Sequence, residues 1–373
     1  MLRKKKRILI FDRNDSGKYA GGDTIQIHAI VSYLKRLGCY TQVTSNPLYN
    51  LEPFDYIIIF NLTRPYEAYM YAKAALRYNK PYIVFPVYWD LDSLKMEEVI
   101  SGRFLLKKLL PTKFIWVLRA FSFYRGNKCI IKKLLIKRAE LFRVKKLISY
   151  VLNNSLFICP NSNAELMHLK NSFTDVDFNE KAKVVYNGIN LKDIKKLKEN
   201  RYNFLLPEKF ICCVGGIGPR KNQLNLIRAA NITKIPLVII GSASKGNERY
   251  EAKVKQLADE HVIFINHISQ SDVFNILSKA SGHIQPSYIE TPGLASLEAA
   301  ALGCNIGVSD VGPVREYFGE EAYYCNPYSV ESIVSCLTKL YNADTELQHK
   351  IKGYIQRFDW DNVLSVMGRL IDD

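Results

Sequence analysis

The sequence predicts an α/β protein built from two doubly wound domains that face a cleft. Three observations carry this expectation. Short apolar runs alternate with amphipathic helical patterns along most of the 373 residues, as in parallel sheets covered by helices on both faces. The length suits about two domains. The polar stretch Leu191–Asn200 (LKDIKKLKEN) falls between two series of such runs.

The first series begins with Arg7–Phe11 (RILIF), followed by a loop and a helix from about Gly22 to Leu37. Tyr40–Thr44, Asp55–Phe60 and Tyr82–Phe85 read as strands, with a helix near Tyr66–Tyr78, and Leu156–Cys159 and Lys183–Tyr186 complete the set. The second series comprises Phe210–Val214, Pro236–Ile240, Val262–Ile265, His283–Gln285, Asn305–Val308 and Ala322–Tyr324, with helices between. The predicted domains are 1–195, carrying a basic insertion at 101–150, and 205–355; residues 356–373 are expected to return to the first domain as a helix.

Composition bounds the function. With 48% apolar residues the chain can bury substantial cores. The eight cysteines form no CxxC or Cys/His cluster, and several sit in apolar runs, which suggests a reducing, cytoplasmic setting and no metal site. The basic start MLRKKKRILIFDR has too short an apolar part for a signal peptide. No run reaches the roughly 18 apolar residues of a membrane span.

The net charge of +16 is concentrated. Residues 101–150 hold 14 Lys or Arg against one acid, Glu140, a local balance of +13. Within this stretch Ile131, Leu134, Leu135, Leu141, Val144 and Leu147 alternate with cations at helical spacing. Basic amphipathic helices suit an anionic membrane surface; the alternative is a helix pair with a solvated basic face. No nucleic-acid recognition motif accompanies the patch.

Ligands of doubly wound sheets bind beyond the carboxyl ends of the strands, and two glycine-rich turns fall there. Ser16–Thr24 (SGKYAGGDT) lacks the spacing of a dinucleotide fingerprint. Val214–Asn222 (VGGIGPRKN) is either a structural turn with a charged rim or a phosphate cradle, its backbone open to close approach and Arg220 and Lys221 beside it. Pro219 suits the start of the helix that follows. Pro286–Ala300 (PSYIETPGLASLEAA) adds two carboxylates. Thr291 is expected to cap a helix beginning at Pro292, with Glu290 in the loop before it and Glu298 about two turns in. The amides near Gly293–Ala295 would point at an anion or hydroxyl, and carboxylates accept sugar hydroxyls well. Glu290 could merely complement the helix dipole, but Glu298 is a charge inside an apolar run and needs a partner or an active-site face.

Glu290 and Glu298 form an E-x7-E pattern, and here the chain resembles the retaining GT-B glycosyltransferases, in a setting similar to family 4 (group 1). The resemblance runs over nearly the whole chain: Gly21–Gly22, Val185–Ile189, GPRKN, PSYIETPGLASLEAAALG and Gly312–Glu316, in order. It implies two Rossmann-like domains. It also implies that Arg220 and Lys221 hold a donor diphosphate, that Glu298 holds the nucleotide ribose, and that Glu290 faces the transferred sugar. Gly216 and the backbone of Gly293, Leu294 and Ala295 would touch the donor, and Gly21 and Gly22 would close the acceptor side. Three departures stand out. Gly216 occupies a position where the family often has Arg, Glu290–Gly293 reads ETPG rather than EGFG, and no His follows the fourth strand, where Pro86–Asp90 reads PVYWD. Tyr88, Trp89 and Asp90 line an acceptor site, or Trp89 is plain packing.

The implied reaction is retaining transfer of a hexose-type sugar from a nucleotide diphosphate sugar, without metal or other cofactor, to a glycan acceptor. Residues 101–150 point to a lipid-linked acceptor and a peripheral enzyme on the inner face of the cell membrane, working in bacterial-type surface polysaccharide assembly. The alternatives are a nucleotide-sugar epimerase of the same fold and a non-catalytic sugar- or nucleic-acid-binding protein.

Overall fold

In the computed structural model, which describes residues 5–14, 21–89, 112–195, 205–291 and 293–372, each apolar run of the first series up to residue 85 forms a strand. The described residues divide into two units, one of 5–89, 112–187 and 360–372 and the other of 188–359.

The first unit holds strands β1 (Arg7–Phe11), β2 (Tyr40–Thr44), β3 (Tyr56–Phe60), β4 (Tyr82–Phe85) and β5 (Phe157–Ile158), all paired in parallel in the order β2-β1-β3-β4-β5. Apart from the exposed Arg7 that opens β1, the residues of β1, β3 and β4 are apolar or aromatic and buried, as strands covered on both faces must be. One face packs on the helix Pro65–Arg77 and on Ile131, Leu141, Leu147 and Val151. The other packs on Ile27, Ile30 and Leu34 of the helix Gly22–Arg36 and on Leu364, Met367 and Leu370. The buried tyrosines place their hydroxyls on carbonyls: Tyr71 donates to Asp12 and Ser45, and Tyr82 to Val151.

Lys183–Tyr186, expected as a strand, is not one. Lys183 N–H donates to the Ile158 carbonyl and Val185 N–H to that of Pro160, both at 2.9 Å. The rung between them would need an N–H from Pro160, which has none, so the ladder stops.

The described part of the basic insertion, from residue 112, is not one amphipathic helix but a set of short pieces. Helices Thr112–Gly126 and Lys128–Lys133 are followed by a 3₁₀ turn at Arg138–Phe142 and the helix Val144–Asn153. The break falls at Leu135, whose φ of 53° is left-handed, while Ile136 N–H closes on the Ile131 carbonyl at 3.0 Å. Ile131, Leu134 and Ile136 are buried, but Leu135 is 82% exposed. Glu140, the acid of this region, accepts a 2.8 Å hydrogen bond from the Tyr69 hydroxyl and so fixes the insertion to the core helix. Among the described residues no helix is long and apolar enough to cross a membrane.

Among the described residues the second unit has six parallel strands, β6 (Ile211–Val214), β7 (Leu237–Ile240), β8 (Val262–Ile265), β9 (Gly282–Gln285), β10 (Asn305–Ser309) and β11 (Tyr323–Cys325). Their order is β11-β10-β9-β6-β7-β8. The polar stretch begins as a helix, Leu191–Lys195, within this unit. Ser269 and Ser329 cap the helices Gln270–Leu277 and Val330–Tyr341 by accepting from the third residue of each. Both units are Rossmann-like doubly wound α/β domains.

Candidate active site

The carboxyl ends of β6, β7 and β9 bring the glycine turn and both glutamates into the second unit. The turn is held by a close approach of backbones. A Cβ on Gly241 would lie 2.2 Å from the Gly215 carbonyl oxygen, and Gly241 has a φ of 140°, so only glycine fits. At Gly216 a Cβ would meet only the Ser242 carbonyl, 3.8 Å away, so packing does not exclude a larger residue there.

Pro219 does not start the following α-helix. Pro219–Lys221 forms a 3₁₀ turn, and Asn222, at a φ of 61°, interrupts the backbone before the helix Gln223–Thr233. Asn222 tolerates this conformation, and its buried side-chain amide donates to the Pro286 and Pro327 carbonyls at 3.0 and 2.8 Å. Gln223 reaches back, accepting from Gly218 N–H at 3.2 Å and donating to the Gly216 carbonyl at 3.1 Å. The loop thus presents a cavity of about 360 Å3 walled by Gly216, Gly218, Arg220, Lys221, Ser244 and Asn247.

At this wall Lys221 Nζ lies 2.6 Å from Glu290 Oε2, and Arg220 is 3.6 Å from Glu290 Oε1. Arg220 also donates to the Ile289 carbonyl at 3.2 Å. The Glu290 side chain is 8% exposed and accepts from the Ser287 hydroxyl at 2.9 Å. Burial pushes the Glu290 carboxyl up, but Lys221, then Arg220, then the hydrogen bonds overcome it and hold the group at about 2. Beneath the pair, the buried His283 hydrogen-bonds Ser296 Oγ at 3.1 Å. Burial first, then Lys221, drive its imidazole down to about 3, so it is neutral. No sequence motif points to His283.

The glutamate-bearing helix starts later than the sequence suggests. It spans Leu294–Leu302, with Gly293 as its cap at a φ of 86°; Thr291 lies outside it, and Pro292 is not among the described residues. A Cβ on Gly293 would sit 3.0 Å from Glu290 Cγ, so the left-handed turn folds the chain back onto that glutamate. Glu298 is therefore the fifth helical residue, one turn in rather than two. It is half-buried and accepts from Gln270 Nε2 at 2.8 Å. Burial raises its carboxyl to about 7, against the lowering effect of Gln270. The amides of Leu294 and Ala295, in the first turn, have no acceptor within the helix.

The remaining candidates lie in the first unit. Gly21 caps the helix that Gly22 begins, and next to them Arg13 pairs with Asp23 at 2.9 Å while Asn61 donates to Asp23 at 3.1 Å. Tyr88 N–H donates to Glu165 at 2.7 Å. The Trp89 ring stacks on His168 with centroids 5.2 Å apart, and its buried indole N–H meets no acceptor among the described residues; packing and an unmet donor coexist. Asp90 is outside the described residues. Sequence reasoning missed Glu165. This fully buried carboxylate bonds the Tyr88 and Asn161 amides and is pushed by burial to about 7, against the lowering effect of those two bonds.

Residues 195–358 match the family described as glycosyl transferases group 1. The chain is 24% identical over 192 residues to the O-antigen chain mannosyltransferase RfbU of Salmonella typhimurium, covering 51% of this chain and 52% of that protein. It is 29% identical over 184 residues to the N-acetylgalactosamine-N,N'-diacetylbacillosaminyl-diphospho-undecaprenol 4-alpha-N-acetylgalactosaminyltransferase of Campylobacter jejuni, covering 48% of each. The chain thus spans about half the length of these curated relatives. Among solved structures, sucrose-phosphate synthase from Thermosynechococcus elongatus superposes with a TM-score of 0.74 at 15% identity, covering 99% of this chain and 98% of that one. Anabaena Alr3699/HepE in complex with UDP and glucose gives 0.65 at 15%, covering 98% and 99%. The fold is GT-B, and residues 195–358 carry the similarity to the group 1 glycosyltransferases.

Proposed function

We propose that the protein is a retaining glycosyltransferase that moves a hexose-type sugar from a nucleotide diphosphate sugar to a glycan acceptor in bacterial-type surface polysaccharide assembly. The observation that carries this reading is the buried Lys221–Glu290 pair at the mouth of the glycine turn. A buried ion pair is poor value for stability alone, and a carboxylate perturbed by specific cations beside a cavity marks a working site.

On this reading the donor diphosphate lies against the turn and draws Lys221 and Arg220 to its oxygens, with the amides of Leu294 and Ala295 adding donors. Glu290, released from part of its pairing, faces the sugar as positive charge develops on its anomeric carbon. Glu298 accepts the ribose hydroxyls. The bond from the anomeric carbon to the diphosphate oxygen breaks, and a bond to the acceptor hydroxyl oxygen forms on the same face. The acceptor proton passes to the departing diphosphate, whose charge Lys221 and Arg220 stabilise. Because side-chain cations meet that charge, EDTA is expected to leave transfer unchanged.

The acceptor is lipid-linked and the enzyme is peripheral at the inner membrane face. Val117, Leu118, Phe121, Leu135 and Phe142 are exposed within a strongly basic segment, which supports contact with an anionic surface. Relatives whose names specify an O-antigen chain and a diphospho-undecaprenol acceptor support the pathway class.

The test is to incubate the protein with a panel of nucleotide diphosphate sugars and follow nucleotide release and the anomeric configuration of the product. Glu290→Gln should lower kcat more than it raises KM, because its contact strengthens only as the sugar becomes charged. Failure of every donor to turn over, or an inverted product, would overturn the reading.

A further inference from the structure

The first unit contains a second cavity that the donor chemistry does not use. It measures about 330 Å3 and lies between the loop after β3 and the helix Thr112–Gly126. Its apolar wall is Tyr66, Trp116 and Phe123. Tyr66 stacks on Phe123 with centroids 4.9 Å apart and meets Trp116 edge-on at 6.5 Å, and its hydroxyl donates to the Trp116 carbonyl at 3.4 Å. The three rings are thereby fixed relative to one another, yet Trp116 and Phe123 remain partly exposed.

The polar rim is equally defined. Arg64 pairs with Glu67 at 3.2 Å on one side. On the other, the exposed Arg119 guanidinium lies 4.7 Å over the Trp116 ring, and among the described residues no carboxylate pairs with it. The cation is therefore held in place by an aromatic face while its donors stay open.

We propose that this cavity seats the sugar nearest the phosphate of an acceptor carried on a phosphate or diphosphate, an inference that rests on the transferase reading above. The C–H face of a pyranose covers an aromatic ring, Glu67 accepts its hydroxyls and Arg64 donates to them. Arg119 meets the phosphate through its planar fork, a geometry that suits phosphate oxygens. The volume is at the small end of the roughly 300–1,000 Å3 of ligand sites; it suits one sugar with its phosphate rather than a long glycan. The position beyond a carboxyl strand end is where doubly wound sheets take ligands.

The experiment follows tryptophan fluorescence during titration with a farnesyl-diphosphate N-acetylglucosamine, with N-acetylglucosamine 1-phosphate and methyl N-acetylglucosaminide as separate arms. Saturable quenching by both phosphorylated compounds is expected, with the methyl glycoside at least tenfold weaker. A gap between the first two separates a lipid-carried source from a free sugar phosphate, and either upholds the site. Trp116→Phe should remove the quenching, and Arg119→Gln, an exposed change that spares the core, should raise Kd at least tenfold. Donor hydrolysis in water should stay at the wild-type rate in both variants. Quenching that survives Trp116→Phe, or Arg119→Gln affinity within twofold of wild type, would overturn the proposal. A wild-type protein that binds these probes but hydrolyses no donor would instead overturn the transferase reading.

Discussion

Replacing Lys221 by Met tests whether the Lys221–Glu290 pair is a functional arrangement that the fold maintains at a cost. The substitution removes the ammonium 2.6 Å from a carboxylate that is 8% exposed. Breaking a buried pair by deleting one partner costs about 3–5 kcal/mol, because the other charge is left uncompensated. Arg220 remains 3.6 Å away and, although its side chain is 43% exposed and solvent weakens its pull, it still compensates part of the stranded charge, so the lower end, about 3 kcal/mol, is expected. The Lys221→Met, Glu290→Gln double variant removes both charges and should recover more than half of that loss, while transfer stays abolished in both. The sign of the pH effect follows from Glu290. Its carboxyl titrates at about 2 in the folded protein, against the 4.5 of a free glutamate, so its stabilisation is present above 4.5 and is lost as pH falls toward 2. Urea unfolding of wild type, the Lys221→Met and Glu290→Gln single variants and the double variant between pH 3 and 8 measures this. A single variant within 1 kcal/mol of wild type, or a double variant as unstable as the sum of the singles, would refute the reasoning.

Three further outcomes are expected. Since burial holds the Glu298 carboxyl near 7, the accepting, ionised form gains population as pH rises; donor KM should fall several-fold from pH 6 to 8, and steady-state kinetics of Glu298→Gln should show a flat profile. Gly241→Ala places a methyl group 2.2 Å from the Gly215 oxygen and should cost more than about 3 kcal/mol, seen as loss of soluble protein or a lowered Tm. Co-sedimentation with anionic vesicles should weaken at high salt and when Lys132, Lys133, Lys137 and Arg138 are changed to Ser, each cation near the surface contributing about 1 kcal/mol; binding indifferent to both would rule out the membrane reading.

The strands were legible because fully buried parallel strands are continuous apolar runs with little alternative use. Where the reading failed, a single backbone property decided. Pro160 withheld one N–H and cancelled the strand at Lys183–Tyr186, and the left-handed residues Asn222 and Gly293 moved two helix starts past Pro219 and Pro292. Leu135 broke a pattern whose spacing alone looks helical. At the site, Arg220, Lys221 and Glu290 announce themselves as charges in a glycine-rich or apolar setting. Glu165 does not, since Ser162 and Glu165 have the spacing of an ordinary capping box; its carboxylate instead goes to the Asn161 and Tyr88 amides, and Tyr88 is 77 residues away in sequence.

The chain's return at Trp360 has a consequence for biosynthesis. Leu364, Met367 and Leu370 complete one face of the first unit's core, yet the ribosome makes them only after all of residues 188–359. The entry and exit of that intervening segment are joined, Ile189 N–H donating to the Phe358 carbonyl at 2.9 Å, so its folding brings residues 188 and 359 together. The usual order in which amino-terminal domains fold first is thus broken for this face of the core: the places of Leu364, Met367 and Leu370 stay unfilled until the second unit has closed its own ends. During synthesis that bare face is a natural ligand for a chaperone.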